Sequence, residues 1–118
     1  MNLHTYNASA LKTLNDLGTR KDNLMHMAAG LSGEAGEVID TVKKHFAYGK
    51  ELDRDHVIEE IGDVVWYLNG LIHFLDSSWE QVLERNIAKL SARYKGEGFT
   101  AENAISRDTE AEKEAMKA

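Results

Sequence analysis

Between Val57 and Leu75 apolar residues recur at helical spacing. Val57, Ile61, Val64, Val65, Leu68, Leu71, Ile72 and Leu75 form one stripe, and Tyr67 and Phe74 widen it. A helix apolar over so much of its circumference has to be covered from more than one side. This segment is therefore expected near the centre of a helical assembly. The rest of the sequence agrees: there is no proline, and β-branched residues never alternate with polar ones as strands require. The chain is predicted to be all-α, a four-helix-type bundle with helices over about 3–17, 22–47, 55–76 and 78–95. Gly18 and Gly49 mark two of the ends. Asp53 or Asp55 is expected to cap the third helix and Ser77 or Ser78 the fourth. Beyond Phe99 large apolar residues become sparse, so 1–99 reads as the domain and 100–118 as a polar tail, for which helix is an open alternative but an exposed or partner-packed segment is the expectation.

Composition narrows the function. The chain has no cysteine, which removes thiolate metal sites, disulfides and cysteine nucleophiles. Its net charge is −6, and from Gly33 to Asp63 nine Asp and Glu stand against four Lys and Arg. Such a surface repels nucleic acid, whose binding rests on basic contacts to phosphate. No apolar run is long enough for a signal peptide or a membrane span, so a cytoplasmic protein without membrane association is the expectation.

The acidic residues are patterned. On the second helix Leu24, Met27, Ala28, Leu31, Ala35, Val38, Val42 and Phe46 make an apolar stripe, and Glu34, Glu37 and Thr41 lie along its edge. On the third helix Glu60 and Asp63 share an arc with Tyr67 and Phe74. Stabilising cations would stand three or four residues after each acid, but those positions hold Glu37, Val38, Asp40, Thr41, Asp63, Val64, Trp66 and Tyr67. Each helix thus carries a like-charge pair that no lysine or arginine relieves. If the two helices pack antiparallel, four carboxylates converge, an all-oxygen set that suits Mg²⁺ or Mn²⁺ better than zinc. Neither pair includes the His of the Glu-x-x-His motif found in di-iron bundles. Gly30, Gly33 and Gly36 interrupt the same helix, and Gly30 is the candidate for a close approach by a neighbouring helix or a triphosphate.

In the fourth helix Asn86, Lys89 and Arg93 recur at one face and are candidates for holding phosphate. Tyr67 is a candidate for stacking on a nucleoside, although a tyrosine at such a position ordinarily packs in a core. His26 and His56 are candidates for touching substrate, although a lone histidine near a helix end ordinarily has a structural or surface role.

Three stretches, GLSGEAGEVIDTVKKHFAYGK at 30–50, EEIGDVVWYLNGL at 59–71 and NIAKLSARYKGEGF at 86–99, together resemble the MazG-like nucleoside triphosphate pyrophosphohydrolases. These belong to an all-α group that includes dimeric dUTPases and phosphoribosyl-ATP pyrophosphatases. The resemblance implies a metal motif of Glu34 and Glu37 followed by Glu60 and Asp63. Glu34 would act as a ligand or as the base that orients water, and Glu37 would be catalytic with it. The resemblance also implies that Asn86 and Lys89 hold substrate. Many members carry a further glutamate where this chain has Gly33. A homodimer or homotetramer is implied, splitting a nucleoside triphosphate into monophosphate and pyrophosphate with Mg²⁺, as nucleotide-pool house-cleaning. The competing readings are the same chemistry on dUTP or a nucleotide alarmone, and a non-catalytic helical dimer with a structural metal.

Overall fold

The computed structural model describes residues 1–117, and they form six helices and no strand. The all-α expectation holds, with two helices more than the four expected. The chain divides into two compact units, Met1–Asp76 and the residues from Ser77 onward.

In the first unit, α1 (Leu3–Leu11) is capped by Asn2, whose side chain accepts from the Thr5 amide at 2.9 Å. It stops well short of the expected residue 17, because polar side chains take over the backbone there. Thr13 Oγ1 donates to the Ala10 carbonyl at 2.7 Å. Asp16 Oδ1 accepts from the Gly18 amide and from Asn23 Nδ2, and Asn23 Oδ1 accepts from the Leu17 amide. Such local bonds offer an alternative to the helical ladder. Asn23 is buried at their centre. Gly18, at φ 101, then reverses the chain.

Helix α2 (Arg20–Tyr48) begins two residues earlier than expected because Thr19 caps it, and it ends at Gly49 in the left-handed conformation. Helix α3 (Arg54–Phe74) starts from Asp53, which accepts from the His56 amide at 3.2 Å.

Glycines form the seam between α2 and α3. A Cβ on Gly30 would lie 2.1 Å from Tyr67 Cε1, and one on Gly70 would lie 2.2 Å from Met27 Sδ. Each helix therefore receives a large side chain of the other over a glycine. Stepping three residues forward on α2, from Met27 to Gly30, steps three back on α3, from Gly70 to Tyr67. The two helices are antiparallel. Met27 is fully buried at this seam, which stabilises the pair by about 1.5–3 kcal/mol. The Trp66 indole donates to Thr13 Oγ1 at 2.9 Å and ties α3 to the end of α1.

The expected stripes are only partly covered. Leu24, Leu31, Val38, Val42, Val64, Val65, Leu68, Leu71 and Ile72 are half-buried, whereas Phe46 is 89% exposed and Ile61 49%. Among the described residues only Ala10 and Met27 are buried apolar side chains.

In the second unit, α4 (Trp79–Tyr94) is capped by Ser78, which accepts from the Gln81 amide at 3.1 Å, while Ser77 Oγ donates to the Gln81 side chain. Lys95 and Gly96 end it, both at positive φ. In the expected polar tail α5 (Ala101–Ile105) and α6 (Thr109–Lys117) follow, and α6 packs along α4. Residue 118 of that expected tail lies outside the described residues. A buried charge anchors α6 to α4. Glu112 is 2% exposed, and Arg107 grips it through Nε at 3.1 Å and Nη2 at 2.8 Å, while Arg93 Nη2 reaches it at 3.0 Å.

Candidate active site

The antiparallel register that seats Tyr67 on Gly30 continues into the acidic segment. Four residues on from Gly30 is Glu34, and four back from Tyr67 is Asp63. Three further along each helix are Glu37 and Glu60. Oxygens of Glu34, Glu60 and Asp63 all lie within 4.8 Å of one another. Glu37 is not in that group: it is exposed on the next turn of α2, where its carbonyl accepts from Thr41 Oγ1 at 3.1 Å.

The environment of these oxygens calls for a cation. Glu60 is buried, and its Oε2 has no hydrogen-bond partner. A buried carboxylate oxygen without a partner is costly, because it has lost water and gained no donor. The basic neighbour is His56, whose Nε2 lies 3.5 Å from Glu60 Oε1. The Glu34 carboxyl is pushed above the usual carboxylate range, first by its hydrogen bond with Glu60, then by burial and by the negative charges of Asp63 and Glu60. A bound divalent cation would relieve the same repulsion. Three hard oxygen donors with a buried, unsatisfied member fit a divalent ion of the Mg²⁺ type.

Other side chains frame the cluster. Tyr6 of α1 has its phenol pushed upward, by burial first and then by the charge of Asp63. Tyr67 stands edge-on to both Trp66 and His26, with ring centres 5.0 and 6.4 Å away. His26 Nδ1 is buried without a partner. The sequence singled out neither Tyr6 nor the His56 contact. The four-residue spacing of His56 and Glu60 was a signal for the latter, whereas Tyr6 belongs to another helix and left none.

Asn86, Lys89 and Arg93 lie on α4, in the second unit. Asn86 is exposed and Lys89 half-buried, and Arg93 is engaged by Glu112. No spacing pattern links Arg93 to a glutamate nineteen residues later, so that engagement was not visible in the sequence.

Residues 23–97 match the MazG nucleotide pyrophosphohydrolase domain. The chain belongs to the MazG family. The match takes in almost all of α2 and the whole of α3 and α4, with the acidic cluster, Glu37, Asn86, Lys89 and Arg93; α1, α5 and α6 lie outside it. The chain is also similar to the Gene 37 protein of Mycobacterium phage L5, at 37% identity over 76 residues that cover 61% of this chain and 67% of the phage protein. No solved structure matches. MazG membership places the chain among nucleotide pyrophosphohydrolases, a family that generally depends on a divalent metal, and the acidic cluster is the place in the first unit suited to one. Among the described residues no helix is long and apolar enough to cross a membrane.

Proposed function

We propose that this MazG protein hydrolyses nucleoside triphosphates, deoxynucleotides included, to the monophosphate and pyrophosphate with Mg²⁺, in nucleotide-pool house-cleaning. The observation that carries the reading is the convergence of Glu34, Glu60 and Asp63 around a buried, unpartnered carboxylate oxygen.

In this reading Glu34, Glu60 and Asp63 hold the metal. Glu37 joins them from the next turn of α2, since the register sets it level with Glu60. Mn²⁺ would suit the same oxygens. The bound cation would neutralise phosphate oxygens, acidify a water and steady the departing pyrophosphate. The chain's own residues do the rest. Glu34, whose carboxylate would be freed of any proton by the bound cation and remains more basic than usual, and Glu37, exposed beside it, are the carboxylates assigned to orient water and accept its proton. Tyr67, pinned over Gly30, presents a rigid ring next to the cluster for the nucleoside. Asn86, Lys89 and Arg93 are assigned to the phosphates.

A homodimer or homotetramer is part of the proposal. With so few apolar side chains buried within the chain, the exposed Phe46 and Ile61 need cover, and a second copy supplies it.

The test is a screen of the eight standard NTPs and dNTPs for metal-dependent pyrophosphate release. We expect turnover of at least one of them and its loss in Glu37→Gln. A magnesium-loaded wild-type protein that releases pyrophosphate from none of the eight would end this reading.

A further inference from the structure

Outside the acidic cluster, Glu112 is buried and held by two arginines. Two guanidinium groups meet on this one carboxylate, so the cluster is one negative charge short of balance. Arg93 Nε is buried and has no acceptor. The Arg107 fork takes both carboxylate oxygens, the geometry in which arginine also takes two oxygens of a phosphate. A phosphate offers more acceptor oxygens and more charge than the glutamate now in place.

Glu112 is the one fully buried side chain among the described residues of α6. Of the apolar residues of this helix Ala115 and Met116 are half-buried, and a cavity of about 260 Å³ remains between them and Gln81, Glu84, Arg85 and Ala88 of α4. Attachment of α6 to α4 therefore leans on the Arg93–Glu112 ion pair, and Arg107 holds the same carboxylate from the connection before α6. The two arginines hold that carboxyl down to about 2, so protonation does not free it near neutral pH. A competing anion does.

We propose that Glu112 stands in for a phosphate group: Arg93 and Arg107 form an anion site that a di- or triphosphate takes over, displacing Glu112 and releasing α6 from α4. The C-terminal segment, which lies beyond the MazG match, is then a releasable strap over a phosphate contact. The inference rests on the assignment of Arg93 to phosphate.

Hydrogen exchange of the backbone amides of residues 109–117 in the full chain tests it, with inorganic pyrophosphate in one arm and a non-hydrolysable nucleoside triphosphate in the other. No divalent metal is added, and chloride matches the ionic strength. We expect at least one anion to speed exchange in α6 roughly tenfold while α4 stays protected. A response to pyrophosphate identifies the phosphate chain alone as sufficient, and a response only to the triphosphate identifies the nucleotide as the ligand. Glu112→Gln should exchange rapidly in α6 without any anion and bind the responding anion roughly tenfold more tightly. Glu110→Gln, the same charge change at an exposed position of α6, should leave both unchanged. Unaltered α6 exchange with both anions overturns the proposal, as do equal shifts in the two variants. Pyrophosphate release from a nucleotide without any α6 response sinks the strap and spares the enzyme. An α6 response without turnover does the opposite.

Discussion

Two glycines of α2, three residues apart, make opposite predictions. Gly30 lies under the Tyr67 ring, and an added methyl would meet rigid aromatic carbons at 2.1 to 2.5 Å. Gly33 has nothing within 4 Å of where its Cβ would be. In an open helical position Gly→Ala gains up to about 1 kcal/mol, whereas overpacking costs about 1–3 kcal/mol. Urea denaturation should therefore show Gly33→Ala more stable than wild type and Gly30→Ala less stable. Equal shifts in the two would mean that Tyr67 does not occupy the space above Gly30. The sequence identified Gly30 as a point of close approach but could not say what approaches, because Tyr67 lies on a different helix. Gly36 also faces open space, and nothing in the structure explains it.

Among the elements, the acidic pairs of α2 and α3 were legible because like charges three residues apart on an apolar helix, without cations at the stabilising positions, contradict ordinary surface design. The exclusion of Glu37 from the closest cluster was not legible, since it depends on how far the antiparallel seam carries each side chain. Helix α1 ended early because Asp16 and Asn23 satisfy the backbone of residues 17 and 18, a competition between local bonds that helical spacing alone does not resolve. The packing of α6 on α4 was not legible because its anchor is a buried charge and its pattern is polar. That anchor makes α6 sensitive to acid. The Glu112 carboxyl is lowered from about 4.5 to about 2 in the folded chain, first by Arg107 and then by Arg93. A lowered folded-state value adds stability above the unfolded value and loses it as pH falls toward the folded one. Amide protection of residues 109–117 should therefore hold from neutral pH to about 5 and fall between about 4.5 and 2. Release of α6 already at pH 6 would show that the arginine pair does not hold it.

For the whole molecule, the wide apolar arc of α3 made burial by neighbours an expectation, and within the chain that arc is only half covered. Sedimentation should accordingly give two or four times the chain mass. Ile61→Asp, which puts a charge on the exposed part of α3, should shift the protein toward monomer and lower its melting temperature. A monodisperse wild-type monomer would contradict the assembly. The proposed chemistry depends on the Glu34, Glu60 and Asp63 oxygens holding the metal that would make this MazG chain a pyrophosphohydrolase. Its most direct test is the magnesium dependence of pyrophosphate release from the best substrate, compared between wild type and Glu60→Gln. We predict saturable activation of the wild type by Mg²⁺ and a loss of about 10–100-fold in metal affinity or activity in the variant. Equal magnesium activation of both proteins would contradict it.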